Sequence, residues 1–257
     1  MTPVALTIAA SDSSGGAGIQ ADLAVFSDLG VYGLCAVTNV TVQNSQGVQK
    51  VNIVPPRIVT AQIDAVMRDF QVASCKIGML YSPRIVDVVA ERIHRREIPN
   101  VILDPVMSAK HSETLLTEPA IKRMKRWLIP KVTLITPNAS EAEKLTGIAV
   151  KNVAMAKDAA KALVELGARG ALVKGGHING EPVDVLYDGH DFTEYHGKRQ
   201  DKNMHGTGCV LSAAIAARLA LGDEIGAAIG FAKDYVSKAI EHSVRLGKGE
   251  LDYFFKF

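Results

Sequence analysis

The fold is decided first by residues 4–30, VALTIAASDSSGGAGIQADLAVFSDLG, where an apolar run passes through a polar, glycine-rich loop into a helical pattern. The run VALTIAA at 4–10 is typical of a buried strand. Residues 16–30 carry apolar side chains at helical spacing and end at Gly30, a residue that commonly closes helices. The segment therefore predicts a strand, a tight loop and a helix, which together form the basic unit of an α/β fold.

The same alternation of strand and helix continues along the chain, and a hairpin is predicted around Asp188-Gly189. It predicts an α/β protein with a mainly parallel central sheet and helices on both faces, in a single domain over residues 1–257. Further strands are predicted at 34–42, 74–80, 100–106, 132–138 and 170–176, and further helices at 55–70, 83–95, 138–145, 153–166, 206–220 and 223–245.

The bulk composition excludes several classes of protein. Of the 257 residues, 47% are apolar and 22% charged, and the net charge of +2 gives no basic surface for nucleic acid or a membrane. The N-terminus lacks the pattern of a signal peptide, and no apolar stretch is long enough to span a bilayer. Three widely spaced cysteines predict neither a disulfide framework nor a zinc site. We therefore expect a cytoplasmic protein.

Polar and glycine-rich residues gather where the predicted strands end. In an open parallel sheet, ligands bind beyond the carboxyl ends of the strands, so this clustering predicts an active site at one edge of the sheet. The clustered segments are SDSSGGAG at 11–18, Gln43-Asn44, Gly78-Met79, Asp104-Pro105, Thr136-Pro137-Asn138 and Lys174-Gly175-Gly176-His177.

The first glycine loop loosely fits a dinucleotide-binding fingerprint, with Gly16, Gly18 and Ala21 at the required spacing. That fingerprint needs an acidic residue after the second strand, but the segment there is VTVQNSQG at 40–47, which offers amides instead. A nicotinamide dehydrogenase is therefore a disfavoured alternative. In the simpler interpretation, the glycines merely permit a tight turn.

A second glycine loop, HGTGC at 205–209, runs directly into the apolar helix VLSAAIAARLALG. Its glycines let the backbone approach a ligand, and the free amides of a helix N-terminus attract a phosphoryl group. A cysteine in the first helical turn, Cys209, is expected to have a lowered pKa and so to accept a proton. The alternative is a structural helix start, with Thr207 as the cap and Cys209 buried.

Taken together, these segments resemble the ribokinase-like superfamily, and within it the hydroxymethylpyrimidine and phosphomethylpyrimidine kinases of thiamine biosynthesis. The resemblance implies ATP-dependent phosphorylation of 4-amino-5-hydroxymethyl-2-methylpyrimidine and of its monophosphate. It further implies ATP and Mg²⁺ as cofactors and a homodimeric enzyme. The matching segments are LTIAASDSSGGAGIQADL, VTVQNSQGV, KIGML, LDPVMSAK, LITPNASEAEKL, LVKGGH and HGTGCVLSAAIAA.

The resemblance also implies a role for individual residues. Cys209 would be the catalytic base in the place where sugar kinases carry aspartate, and Lys174 would neutralise charge on the phosphates. The anion hole would be formed by the backbone of Gly206, Thr207, Gly208 and Cys209. The aminopyrimidine would contact Ala17, Asp22, Gln43, Met79 and Val106. ATP and Mg²⁺ would be held by Asp104, Asn138, Glu141 and Lys174, with the metal near Asp104 and Glu141 through water.

Some features depart from the family pattern or leave alternatives open. Ala10, Met204, Val210 and the HSETLL segment at 111–116 stand where the family usually has other residues. Pyridoxal-specific relatives carry Met-Asp where this chain has Gln43-Asn44, so pyridoxal kinase is the alternative activity. A third possibility is a binding module that has no catalytic activity. We expect the loop histidines, His177 and His205, to be hydrogen-bonded and not metal ligands.

Overall fold

The computed structural model describes residues 2–108, 116–176 and 181–254. Its strands are β1 (Val4–Asp12), β2 (Tyr32–Asn44), β3 (Gly47–Ile53), β4 (Ser74–Ile77), β5 (Val101–Leu103), β6 (Leu134–Ile135), β7 (Ala171–Val173), β8 (Val183–Tyr187), β9 (Phe192–His196), β10 (Val244–Arg245) and β11 (Asp252–Tyr253). Its α-helices are α1 (Gly18–Asp28), α2 (Pro56–Asp69), α3 (Pro83–Arg95), α4 (Glu118–Arg123), α5 (Ala139–Thr146), α6 (Val153–Glu165), α7 (Thr207–Ala220) and α8 (Ile225–His242).

Nine of the strands in these ranges form one sheet, in the order β3-β2-β1-β4-β5-β6-β7-β8-β9. The six strands from β2 to β7 in that order are parallel, while β3, β8 and β9 are antiparallel at the two edges. The predicted α/β fold with a mainly parallel sheet is confirmed. The predicted hairpin is also confirmed, because β8 and β9 pair around Asp188-Gly189.

Helices cover both faces of the sheet because alternate side chains of the strands are buried on opposite sides. Leu6 and Ile8 of β1 belong to one core cluster, which includes residues of α2, α3, α5 and α6. Ala5 and, from β5, Ile102 belong to the other cluster, which includes residues of α1, α7 and α8. The carboxyl ends of the parallel strands are thereby held at one edge between two helical layers. Among the described residues, no helix combines the length and apolar character needed to cross a membrane.

Several parts of the fold were absent from the sequence-based expectation, among them the short helix α4. Strand β3 has a polar, largely exposed pattern that is typical of an edge strand and easily taken for a loop. The short pair β10 and β11 lies near the C-terminus, where the sequence offers no strand pattern. Strands β1 and β2 also run further than expected, to Asp12 and Asn44, so they extend into the predicted site. The HSETLL segment lies mostly, and His177 entirely, outside the described residues.

Candidate active site

A cleft of ≈720 Å³ opens at the carboxyl ends of the parallel strands, where the sequence predicts the site. The cleft brings together most of the predicted site residues from seven separate segments of the chain. The predicted residues that line it are Ala17, Gln43, Met79, Asp104, Val106, Asn138, Glu141, Lys174, Gly206, Thr207, Gly208 and Cys209.

The HGTGC loop forms the start of α7 at one end of the cleft. Gly206 is the residue before the helix and has a positive φ of 74°. A Cβ there would collide with the carbonyl oxygen of Gly16, so only glycine fits. The Thr207 hydroxyl donates to the carbonyl oxygen of Met204 and does not cap the helix. The helix start therefore keeps its backbone amides for a ligand, as the anion-hole interpretation requires.

Lys174 and Asp104 lie directly beside this helix start. The Nζ of Lys174 donates to Oδ1 of Asp104 at 2.9 Å, and Asp104 is almost fully buried. A Cβ on Gly208 would lie 3.1 Å from the Lys174 Nζ, so the backbone of the loop and the ammonium face the same space. Burial would lower the pKa of Lys174, but Asp104 and Glu141 raise it above its ordinary value. The lysine therefore stays charged.

Glu141 and Asn138 form a capping box at the start of α5, on the same side of the cleft. The Asn138 side chain accepts from the backbone of Glu141 at 2.9 Å, and the Glu141 carboxylate accepts from the backbone of Asn138 at 2.8 Å. Burial raises the pKa of Glu141 to about 7, with Asp104 adding to the rise and Lys174 opposing it. Asn138 is thus the helix cap, and Glu141 is a carboxyl group that titrates near neutrality.

Cys209 is partly exposed to the cleft, but its expected lowered pKa is wrong for this structure. Burial raises the pKa of Cys209 to about 11, although the ammonium of Lys76 and a hydrogen bond from the Gly18 backbone lower it. The cost of placing a thiolate in a poorly hydrated site therefore exceeds the benefit of the helix N-terminus. The resting side chain is a neutral thiol.

Asp22 does not line the cleft, and this position does not favour the predicted contact with the pyrimidine. Its carboxylate is fully buried and accepts from Lys76 Nζ at 2.8 and 2.9 Å and from the Thr7 hydroxyl at 2.6 Å. Burial would lower the pKa of Lys76, but Asp22 raises it above its ordinary value. Asp22 thus holds a charged, buried lysine at the floor of the cleft, where its ammonium acts on Cys209. A lysine inside the apolar strand SCKI was the available signal for this pair.

A second part of the cleft wall is apolar. Met79 and Val106 do not join either of the main core clusters. They form a separate small group that borders the cleft, as expected of residues that pack on a flat ring. The members of the group are Ala10, Val51, Met79, Tyr81 and Val106.

A hydrogen-bonded cluster closes this apolar end. The Nε2 of His205 lies 3.0 Å from Oδ2 of Asp12 and 2.9 Å from Nε2 of Gln43. The prediction that His205 is a hydrogen-bonded loop histidine is confirmed. Asp12 was not singled out from the sequence, although it stands in the polar SDSSGG segment that the sequence placed in the site.

The glycines of the first loop pack closely against other parts of the chain. A Cβ on Gly18 would collide with the carbonyl oxygen of Ala10, and a Cβ on Gly16 would lie 2.5 Å from the His205 ring and 2.7 Å from the ring of Tyr253. These glycines therefore fit the loop against its neighbours, which supports the simpler interpretation over a dinucleotide site. Among the described residues, no group of three or more His, Cys, Asp or Glu could hold a metal ion by itself.

Comparison with known proteins gives a consistent assignment. The family model for phosphomethylpyrimidine kinase matches residues 12–253. A hydroxymethylpyrimidine/phosphomethylpyrimidine kinase from Haemophilus influenzae is 43% identical over 250 residues, which are 95% of this chain and 93% of that protein.

Two solved structures are similar over nearly the whole chain. The phosphomethylpyrimidine kinase of Clostridium difficile 630 is 42% identical, with a TM-score of 0.84 over 93% of this chain and 99% of that one. A pyridoxal kinase of Bacillus subtilis, solved as an ADP complex, is 36% identical, with a TM-score of 0.92 over 99% of this chain and 97% of that one. The sequence is thus nearer to the pyrimidine kinase, whereas the backbone matches both.

Proposed function

Because the chain belongs to the phosphomethylpyrimidine kinase family, we propose that its cleft transfers the γ-phosphate of ATP to 4-amino-5-hydroxymethyl-2-methylpyrimidine and then to the monophosphate. The chain is a hydroxymethylpyrimidine/phosphomethylpyrimidine kinase of thiamine biosynthesis, like its relative in Haemophilus influenzae. The ADP complex of the similar pyridoxal kinase supports ATP as the phosphoryl donor.

One observation carries this proposal: the cleft has a charged end and an apolar end that together match the two reactants. At the charged end, Gly208 lies against the ion pair of Lys174 and Asp104, beside the N-terminus of α7. At the apolar end, Met79 and Val106 border the space that Gln43 faces. A phosphate chain fits the first end, and a flat heterocycle with polar edges fits the second.

In the proposed mechanism, the hydroxymethyl oxygen attacks the γ-phosphorus in line while the bond from that phosphorus to the ADP oxygen breaks. The amides of Gly206, Thr207 and Gly208 hold the migrating phosphoryl oxygens, and Lys174 neutralises their charge. The hydroxyl proton passes to the sulfur of Cys209. The reactive form of this cysteine is the thiolate, a minor species at neutral pH because burial raises its pKa to about 11.

Lys76 supports this step from the floor of the cleft. Among the groups that lower the pKa of Cys209, the ammonium of Lys76 has the largest effect, so it stabilises a thiolate there. Asp22 holds this ammonium in place by accepting two hydrogen bonds from it. We assign Lys76 and Asp22 as positioning residues. Asp22 thereby serves the pyrimidine site indirectly, through the chemistry at Cys209.

Mg²⁺ is proposed as the second cofactor, and the carboxyl groups at the charged end fit it. Asp104 and Glu141 supply hard oxygen ligands, and their mutual repulsion contributes to the raised pKa of Glu141. With two carboxyl groups only, the ion would be held largely through water and the phosphates. When bound, it would supply charge neutralisation on the phosphate chain.

A coupled ADP-release assay with Mg·ATP tests the function directly. We expect turnover with the hydroxymethylpyrimidine and with its monophosphate, and a lower kcat/KM with pyridoxal. Turnover with pyridoxal alone would replace the proposal with pyridoxal kinase, the second candidate favoured by the backbone match to the Bacillus subtilis enzyme. Ligand binding without ADP release would indicate a binding module.

The proposal extends to the assembly and location of the enzyme, as one domain over residues 1–257. A homodimer is supported by the exposed apolar side chains of Val40, Val42 and Ile53 on the edge strand β3 and its neighbour β2. Sedimentation equilibrium should give a mass of two chains for the wild type, and Val42→Glu should lower the measured mass to that of a single chain. A cytoplasmic location fits an enzyme that consumes ATP and carries Cys35, Cys75 and Cys209 as free thiols.

A further inference from the structure

The Nε2 atom of His205 has two neighbours that make opposite demands on it. One is the carboxylate of Asp12 at 3.0 Å, which requires a proton on Nε2. The other is the side-chain nitrogen of Gln43 at 2.9 Å, an N–H donor that requires a lone pair there. One ring nitrogen cannot satisfy both.

The surroundings of Asp12 decide between the two demands. Its Oδ1 accepts from the backbone and the hydroxyl of Ser14, both at 2.8 Å, and its Oδ2 accepts from the backbone of Ala17 at 3.0 Å. A carboxyl group that faces this many donors is ionised and accepts only. Burial would raise the pKa of Asp12, but the hydrogen bonds from His205 and Ser14 hold it below its ordinary value. Nε2 of His205 therefore carries the proton.

A protonated Nε2 fixes the orientation of the neighbouring amide. A half-turn of the Gln43 amide exchanges its oxygen and nitrogen, which are similar in size, and replaces a donor–donor contact with one in which Oε1 shares, in a three-centre hydrogen bond, the Nε2 proton that is also donated to Asp12. The NH₂ group is then directed away from His205. Since Gln43 lines the cleft, this group is available to a ligand as a donor of two hydrogen bonds.

We infer that Asp12 and His205 are positioning residues that make Gln43 a hydrogen-bond donor toward the substrate, so that the site selects a ring nitrogen with a free lone pair. This inference rests on the proposed function, in which Gln43 contacts the aminopyrimidine. The amino group of the pyrimidine is itself a donor, so in this orientation its partner is not Gln43. The recognised feature is the unprotonated ring nitrogen beside it.

His205 is held rigidly enough for this role. Its backbone N–H donates to the carbonyl oxygen of Asp252 at 2.8 Å, and its ring meets that of Tyr253 edge-on with centroids 5.7 Å apart. Gly16 leaves room for both rings, because any Cβ there would lie within 2.8 Å of them. The C-terminal strand β11 thus fixes the histidine that orients Gln43.

The experiment compares three substrates in the wild type and in His205→Phe: the parent pyrimidine, an analogue with CH in place of the ring nitrogen beside the amino group, and an analogue without the amino group. Ratios of kcat/KM are taken within each variant, so any loss of folded enzyme cancels. The wild type should prefer the parent over the CH analogue by about tenfold or more, as expected for an unsatisfied donor.

In His205→Phe the Gln43 amide is free to turn, so this preference should fall to about two- to threefold, while the preference for the amino group rises. His205→Gln, which keeps an N–H donor, should restore most of the preference for the ring nitrogen. A tenfold preference that persists in His205→Phe overturns the inference and leaves the kinase assignment intact. Failure of the wild type to phosphorylate the parent pyrimidine overturns the proposed function itself.

A second readout does not depend on activity. The ¹⁵N chemical shifts of the His205 ring in the wild-type protein report which nitrogen carries the proton. We expect a protonated Nε2 both without ligand and with the pyrimidine bound. An unprotonated Nε2 in both states contradicts the inference.

Discussion

The two ends of the cleft differ in how they are built. At the phosphate end, charged groups surround a helix start: Lys174 is paired with Asp104, and Glu141 titrates near neutrality. At the pyrimidine end, Met79 and the neutral amide of Gln43 line the cleft, and the charged Asp12 is hydrogen-bonded to His205. At the first end the charged side chains act directly on the phosphates. At the second end the charge of Asp12 acts on the substrate only through His205 and Gln43.

The difference indicates a division of labour. Groups that stabilise charge developing on the phosphoryl oxygens act in the transition state, so their loss lowers kcat. Groups that hold a neutral ring act equally in the ground state and the transition state, so their loss raises KM. The phosphate end is therefore expected to set the rate, whereas the pyrimidine end sets substrate affinity and selectivity.

The largest effect is expected for Lys174→Ala. Loss of the ammonium leaves the phosphoryl charge and the buried Asp104 uncompensated, so kcat should fall about a thousandfold. Lys157→Ala is the matched control, because Lys157 pairs with Glu194 outside the cleft and should leave kcat unchanged. Thermal unfolding of both variants separates lost chemistry from lost fold. A change in the KM for the pyrimidine at constant kcat would break the comparison.

Substitution of Cys209 should give the next largest effect. Both Cys209→Ala and Cys209→Ser remove the proposed proton acceptor, so kcat should fall by about a hundredfold while ATP binding changes little. In the wild type, kcat should rise about tenfold per pH unit between about pH 7 and pH 9, because the thiolate fraction grows below a pKa of about 11. Equal turnover in the wild type and both variants, or a flat wild-type profile, argues against Cys209 as the base.

A smaller and selective effect is expected for Gln43→Met. The thioether cannot hydrogen-bond the ring as the amide does, so the KM for the pyrimidine should rise about ten- to thirtyfold with kcat nearly kept. Parallel assays with pyridoxal should show no comparable loss. Asn44→Asp, at the neighbouring position, controls for general disturbance of the strand end. Equal losses for both substrates would assign Gln43 a structural role.

The smallest effect concerns the proton on Glu141. Burial raises its pKa to about 7, so part of the population carries this proton at neutral pH. A cation bound beside the carboxylate favours the charged form, so binding of Mg·ATP should release a fraction of a proton at that pH. Calorimetry in buffers of different ionisation enthalpy measures the release, which Glu141→Gln should abolish. Equal release by wild type and variant would place the proton elsewhere.

The phosphate end was the easier half to predict from the sequence. Glycines before an apolar helix are typical of a helix start that is open to a ligand, and α7 does begin at this loop, with Gly206 directly before it. Asp104 and Lys174 each follow a predicted parallel strand, so the sequence also predicted that they lie at the same edge of the sheet. The prediction of a lowered pKa for Cys209 was wrong, because burial raises this pKa. The burial depends on how Lys76, Asp22 and α7 pack, and no local sequence pattern reports that packing.

The pyrimidine end was harder because its contacts join distant parts of the chain. Asp12 and His205 are 193 positions apart, and Gln43 and His205 are 162 apart. Asp22 was expected to contact the ring because its neighbourhood matches the family motif, yet it is buried against Lys76. Which side of a helix faces the cleft and which faces the sheet is decided by packing, not by the motif.

The most direct test of the division of labour is calorimetric titration of the hydroxymethylpyrimidine, without nucleotide, into the wild type, Lys174→Ala and Gln43→Met. We expect Lys174→Ala to keep the wild-type Kd within about twofold, whereas Gln43→Met should weaken binding by about tenfold or more. Equal weakening in the two variants would contradict this division, because the two ends of the cleft would then not act separately.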